Sequence, residues 1–110
     1  MFNLTDEHSF FVYSKPCDMR KSFDGLFGLV KNELAKNPTC QKCVFLFLNK
    51  NRTQLKLLHW EKNGFVIYYK KLEKGSFSMP TKAEISWVDL INIVKGIEVK
   101  KSVQKKRFYL

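Results

Sequence analysis

The feature that most constrains the fold is a run of five apolar residues at positions 44–48, with Phe45 and Phe47 at its second and fourth places. Side chains alternate between the two faces of a strand, so this run presents apolar groups on both faces at once. A strand of this kind is typical of the middle of a sheet. The run therefore predicts a central strand with helix packed on one side.

Local signals before this run predict one strand and one helix. Residues 10–13 are β-prone and stop before Pro16, which has no amide hydrogen and cannot extend a strand ladder. Ser22 is a candidate N-cap, and apolar residues recur from it at helical spacing over positions 23–34. The residue before a proline avoids the helical region, so we expect this helix to end near Pro38.

Two β-prone stretches follow, at residues 54–60 and 65–72, separated by a short segment that ends in Asn63-Gly64. Asn-Gly supplies the two positive φ angles that a type I′ turn requires, which predicts a β-hairpin. In a tight hairpin whose turn lies at positions 62 and 63, Lys56 lies near Tyr69 and Lys70 on the neighbouring strand.

A second, shorter helix is predicted at residues 87–94, where apolar side chains form a stripe that stops at Gly96. Ser86 with Asp89 three positions later resembles a capping box at its start. Residues 75–83 look irregular.

The order β, α, β, β, β, α predicts an α+β fold, an antiparallel β-meander packed against one longer and one shorter helix. At 110 residues and 45% hydrophobic, the chain suits one domain over residues 1–110. Residues 98–110 are expected to be a loosely held basic tail or a frayed strand.

Charge is unevenly distributed along the chain. The whole chain holds 20 Lys and Arg against 10 Asp and Glu, a net charge of +10. Residues 1–49 hold six basic and five acidic residues, whereas residues 50–110 hold fourteen and five. A local positive field of this size favours polyanionic partners, and DNA is the expected one.

Eight basic residues are candidate contacts to nucleic acid. They are Arg20, Lys21, Lys50, Arg52, Lys56, Lys70, Lys71 and Lys74. Trp60, Tyr68 and Tyr69 are interleaved with the later members of this set, a mixture suited to phosphate contact and base stacking. Solvated surface lysine is the alternative interpretation.

Arg20 and Lys21 form a separate case, because they precede the candidate N-cap and a helix N-terminus accepts anions. The alternative is that Arg20 pairs with Asp18 or Asp24 and fixes the loop.

The cysteine pair Cys40 and Cys43 has a spacing that can grip a metal or close a disulfide. A structural zinc needs four ligands, and the remaining candidates, Cys17, His8 and His59, are not in a paired spacing. We therefore expect ordinary cysteines, with Cys43 buried, and no metal or other cofactor.

The sequence also contains no recognisable group of catalytic residues. Six carboxylates are candidates for binding Mg²⁺ in a nuclease: Asp18, Asp24, Glu61, Glu73, Glu84 and Asp89. They do not converge in the predicted elements, and most suit helix caps or turns. No nucleophile has a base beside it. We expect a protein that is not an enzyme and has no small-molecule substrate.

The chain shows no signal-peptide pattern, and its longest apolar run is far shorter than the roughly 20 residues that span a bilayer. We expect a cytoplasmic protein with no membrane contact.

Two stretches of the chain resemble a known family. Residues 18–26 read DMRKSFDGL, similar to a segment of TnpB, the small accessory protein of the IS66 group of bacterial insertion sequences. Residues 45–80 resemble the second conserved block of the same family. The matching positions are Phe47, Asn49, Leu55, Lys56, Leu58, Trp60, Gly64, Phe65, Tyr69, Lys70, Leu72, Glu73, Gly75, Phe77 and Pro80.

The chain departs from the family pattern in several places: Met79 stands for tryptophan, Ser76 and Lys71 stand for arginine, and Glu61 stands for aspartate. The loop at Lys50 is also less rich in arginine than in the family. Lysine is a point charge without the planar fork of arginine, so these changes favour contacts to the sugar-phosphate backbone.

The resemblance implies a non-catalytic accessory factor for DNA transposition that acts beside a separate, larger transposase. The alternative functions are a protein-binding adaptor of that transposase without DNA contact, and a divergent nuclease.

Overall fold

The computed structural model describes residues 3–96, which form a five-stranded sheet with one helix on each face. In chain order the elements are β1 (Ser9–Val12), α1 (Phe23–Asn32), β2 (Cys43–Leu48), β3 (Gln54–Glu61), β4 (Gly64–Lys71), β5 (Glu84–Ile85) and α2 (Trp87–Val94). The strand order is β4-β3-β2-β1-β5. The α+β class and the central position of residues 44–48 are thus confirmed.

The sheet is mixed, so the prediction of a purely antiparallel sheet is wrong. β1 runs parallel to β2, with Phe11 opposite Phe45, while the other neighbouring strands are antiparallel. Helix α1 connects β1 to β2, and a crossover of this kind over one face returns the chain in its original direction. Both strands therefore end at the same end of the sheet.

Two separate cores lie on the two faces of the sheet. On one face Leu26 and Val30 of α1 pack against Phe45 and Phe47 of β2. On the other face the buried residues of α2 pack against those of β1, β2 and β3. The alternation within β2 thus fills both cores, which is why the strand is apolar at every position.

The turn between β3 and β4 differs from the predicted Asn-Gly geometry. Glu61 pairs with Gly64, so the two turn residues are Lys62 and Asn63 and the glycine belongs to the strand. The left-handed residue of the turn is Lys62, with φ of 56°. The register places Lys56 opposite Tyr69, as predicted.

The predicted boundaries of α2 agree with the structure better than those of α1. Ser86 caps α2 through its hydroxyl, which accepts the Asp89 amide at 3.1 Å, whereas the hydroxyl of Ser22 makes no such bond at α1. Helix α1 ends at Asn32, short of the predicted end near Pro38, and Ala35 then turns the chain with φ of 54°.

Gly96 ends the α2 region as predicted, and its φ of 61° explains the residue type. A Cβ at this position would lie 2.6 Å from Leu72, so the helix end approaches the chain after β4 closely. The short strand β5 was not predicted. The prediction for residues 98–110 lies outside the described residues.

One buried cation ties the loop before α1 to the sheet. Lys56 lies in the middle of β3 on the α1 face and is only 6% exposed. Its ammonium group donates to the carbonyl oxygens of Met19 at 2.8 Å and Lys21 at 2.7 Å. It also lies over the Tyr69 ring, 4.7 Å from the centroid. Hydrogen bonds from a charged donor are stronger than neutral ones, so we regard this contact as a structural anchor.

We expect the variant Lys56→Met to lower the free energy of unfolding by about 2–3 kcal/mol, because both carbonyl oxygens lose a charged donor. Urea denaturation measures the change. The matched control is Lys71→Met on the neighbouring strand, where the lysine is exposed and a surface change costs within about 0.5 kcal/mol. Equal midpoints for the two variants would contradict the anchoring role.

Candidate nucleic-acid interface

Six of the eight predicted basic residues are exposed, and the topology gathers them at one end of the sheet. The exposed six are Arg20, Lys21, Lys50, Arg52, Lys71 and Lys74. β1 and β2 run parallel and end together, while β3 is antiparallel to β2 and begins where β2 ends. β4 ends beside the start of β3, since Lys71 pairs with Gln54. The loops that carry these residues therefore emerge side by side.

The other two predicted residues are engaged inside the structure. Lys56 is the buried anchor described above. Lys70 is half-buried, and its ammonium group donates to the carbonyl oxygen of Val94 at 2.8 Å. That carbonyl is at the C-terminal end of α2, where the helix dipole favours a cation. The structure thus turns both ammonium groups toward backbone carbonyls.

The β2–β3 turn is held rigid by Asn49, which positions Lys50 and Arg52. The side-chain carbonyl oxygen of Asn49 accepts the amides of Thr53 at 2.8 Å and Gln54 at 2.9 Å. Its amide nitrogen donates to the Thr53 hydroxyl at 3.0 Å. These bonds satisfy the turn internally and leave Lys50 exposed at its tip.

Arg52 is fixed in the same turn by the chain that follows β4. Its backbone has φ of 56°, and its carbonyl oxygen accepts the amide of Phe77 at 2.7 Å. Its side-chain Nε donates to the Phe77 carbonyl oxygen at 3.2 Å. Phe77 itself is fully buried, so the arginine is held against a fixed part of the core.

A cleft lies between this turn and the loop before α1. Its lining includes Asp18 and Arg20 from the loop, Lys50 from the turn, and Gln54 and Tyr69 from β3 and β4. A second hollow on the other side of Lys50 is lined by Arg52 and Lys15. Lys50 therefore lines both depressions. We call the surface formed by the six exposed basic residues and Lys15 the basic end of the sheet.

Lys15 was missed by the sequence reasoning. No spacing rule along the chain joins it to Lys50. Its ammonium group lies 3.4 Å from a carboxylate oxygen of Glu33, and both side chains are well exposed. The parallel pairing of β1 with β2 brings it to the basic end of the sheet.

Arg20 makes an ion pair with Asp18, which is the alternative to anion binding at this loop. Its Nη2 lies 2.7 Å from Asp18 Oδ2, and its Nε donates to both carboxylate oxygens at 3.1 Å. The side-chain hydrogen bonds from Arg20, then its backbone amide, lower the pKa of Asp18 to about 2. The Arg20 side chain is nevertheless 91% exposed. It is thus oriented by Asp18 and still open to solvent.

The three aromatic residues named from the sequence take different positions. Trp60 packs edge-on against Phe65 with centroids 4.9 Å apart, and Tyr68 packs against the core on the α2 side. Tyr69 is 50% exposed and lines the cleft. Its hydroxyl donates to the side-chain oxygen of Gln54. Tyr69 is therefore the aromatic residue that reaches the basic end of the sheet.

The expectation of two ordinary free cysteines is wrong for this structure. A disulfide joins Cys40 to Cys43, with Cα atoms 5.3 Å apart. The Cys43 amide donates to the Cys40 carbonyl oxygen at 3.2 Å, so a turn before β2 brings the two residues together. Cys43 is half-buried where burial was expected.

Among residues 3–96, carboxylates and other metal-ligating side chains do not gather into a metal site. Within residues 3–96, no three His, Cys, Asp or Glu side chains are placed to hold one metal ion. Asp24 and Asp89 lie in the first turns of their helices, where the helix dipole favours a negative charge. In the same part of the chain, no helix is long and apolar enough to cross a bilayer.

Comparison with known proteins gives a family and one relative. The model of the family described as IS66 Orf2-like protein matches residues 8–104. An uncharacterized protein, y4jC, of Sinorhizobium fredii is 33% identical over 69 residues, which are 63% of this chain. The match spans 58% of the relative's length. No solved structure matches the chain.

The family match covers the residues that build the basic end of the sheet, from the loop before α1 to the end of β4. It also agrees with the resemblance seen in residues 18–26 and 45–80. The chain belongs to the IS66 Orf2-like protein family.

Proposed function

We propose that this protein is a non-catalytic accessory factor for DNA transposition that contacts the DNA backbone through the basic end of the sheet, in complex with the transposase of the same element. Membership of the IS66 Orf2-like family supports the accessory role. The observation that supports the DNA contact is the presence of six exposed cations at one end of the sheet. Backbone phosphates are the polyanion that such a surface suits.

The residue types of the six exposed cations favour contact with the sugar-phosphate backbone over sequence-specific contact with the bases. Four of the six exposed residues are lysines, which bind phosphate as point charges. The two arginines are already oriented by the protein, Arg20 by Asp18 and Arg52 by the Phe77 carbonyl. An accessory factor of this kind acts in the compartment that holds the DNA of the element. For a bacterial insertion sequence this compartment is the cytoplasm.

The adaptor alternative has weaker support in the structure. Phe23, Met79 and Val88 are large apolar residues that are exposed, and they belong to three different segments. Apolar residues scattered singly are normal on a protein surface and do not mark an interface. The nuclease alternative lacks grouped carboxylates in residues 3–96.

We expect DNA affinity to fall about a thousandfold between 50 and 200 mM salt if six phosphates are neutralised, because each neutralised phosphate releases condensed counterions. Fluorescence anisotropy with element-end DNA measures this for the protein alone and in complex with its transposase. A flat salt response would contradict direct DNA contact and favour the adaptor.

The double variant Lys50→Gln/Lys71→Gln is expected to reduce the slope of log affinity against log salt by about 2, since it removes two phosphate contacts. The same titration measures it. The matched control is Lys31→Gln/Lys62→Gln, which changes the net charge equally with exposed lysines away from the basic end, one in the last turn of α1 and one in the β3–β4 turn. Equal slopes for the two doubles would show that only overall charge matters.

Arg20 and Asp18 give a test in opposite directions. We expect Arg20→Ala to weaken DNA binding, and Asp18→Asn to strengthen it several-fold, because the latter removes a negative charge and frees the guanidinium for phosphate. The asparagine retains a side-chain oxygen that can accept the Arg20 amide. Thermal unfolding monitors the fold of both variants. Loss of thermal stability in Arg20→Ala without loss of binding would assign Arg20 a structural role alone.

A further inference from the structure

Tyr69 differs from the other exposed apolar residues because it shares a cleft with Arg20, its partner Asp18, and Lys50. Its ring lines the cleft between Arg20 and Lys50, and half of its surface is exposed. Lys71, two residues further along β4, is exposed at the same end of the sheet. An exposed aromatic ring beside cations is the arrangement that proteins use to hold single strands, with bases stacked and phosphates paired.

The ring is also held in one orientation. Its hydroxyl donates to the Gln54 side chain, and the Lys56 ammonium group lies over the ring, 4.7 Å from the centroid. Lys56 is buried, so the face it covers is the inner one. The exposed half of Tyr69 is therefore the outer face, which opens on the cleft. A ring fixed in this way loses little conformational freedom on binding.

A base pair in intact duplex is already stacked on both sides. Its faces are closed to a protein ring unless the base is unpaired or drawn out of the stack. A tyrosine face therefore selects for unpaired nucleotides, while the lysines around it bind phosphates of either form.

We propose that the cleft binds an unpaired nucleotide, with its base stacked on the outer face of Tyr69 and its flanking phosphates held by Arg20 and Lys50. This inference rests on the proposed function, since it names the form of nucleic acid that the same surface takes. Transposition exposes unpaired nucleotides wherever strands are opened or joined, so a site of this kind suits an accessory factor.

The test compares Tyr69→Leu and Tyr69→Trp with the unchanged protein on two DNA probes. One probe is a 12-nucleotide single strand and the other is the 12-base-pair duplex of the same sequence, both measured by fluorescence anisotropy at one salt concentration. We expect Tyr69→Leu to weaken single-strand binding about 5- to 100-fold and duplex binding less than twofold. Tyr69→Trp should keep single-strand affinity, and the fluorescence of the introduced indole should be quenched by the strand.

The matched control is Val88→Ala, which removes an exposed apolar group on α2 and leaves the cleft unchanged. Circular dichroism and urea unfolding establish that each variant is folded. A single-stranded RNA of the same length, run beside the DNA, shows which sugar the site prefers, and preference for either strand over duplex supports an unpaired nucleotide.

Two results would overturn the inference in different ways. If Tyr69→Leu weakens strand and duplex binding equally, or the duplex binds as tightly as the strand, stacking on Tyr69 is wrong and the proposed backbone contact stands. If neither probe binds in a salt-dependent manner, with or without transposase, the proposed function fails together with this inference.

Discussion

The side chains of β2 alternate between two cores, with Phe45 and Phe47 facing α1 and the intervening residues facing α2. A strand buried on both faces needs a helix on each, and α1 meets this need by crossing over the sheet between β1 and β2. That crossover makes the two strands parallel, so residues 13–22 and 49–53 leave the sheet at the same end. The basic surface exists because of this pairing. With β1 reversed, Lys15 and Arg20 would lie at the opposite end from Lys50.

The ammonium group of Lys56 connects the core to the surface. It closes the α1 face by bonding two carbonyl oxygens of the loop that carries Arg20, and it supports the inner face of the Tyr69 ring. The same side chain therefore fixes one wall of the cleft and its aromatic floor. Because Lys56 is buried and its donors point to the protein, its effect on a ligand passes through Arg20 and Tyr69. The stability of the fold and the proposed binding of nucleic acid are thus linked at this residue.

The elements with strong local periodicity could be predicted from the sequence, and the contacts between distant segments could not. The uninterrupted apolar run at residues 44–48 indicated a strand buried on both faces. The register that pairs Lys56 with Tyr69 followed from the spacing of the hairpin. Parallel pairing of β1 depends on the path of α1, which no local pattern records. Lys56 looked like a surface cation, but its partners lie more than thirty residues away and are backbone carbonyls, which carry no sequence signature. The Cys40–Cys43 disulfide needs a turn that brings the two residues together. Their spacing is compatible with such a turn but does not require it.

The positive charge at the cleft does not come only from the part of the chain that holds most of the basic residues. Residues 50–110 hold most of the excess, yet the cleft draws Arg20 from the first part of the chain and Lys50 from the second. The guanidinium of Arg20 already forms a fork with a carboxylate, so it has less capacity for the bidentate contact that reads guanine. A surface of point charges around one aromatic face has little means of reading base sequence. In the proposed function, this surface distinguishes the state of the nucleic acid, because an unpaired base offers a face to Tyr69 and a paired base does not.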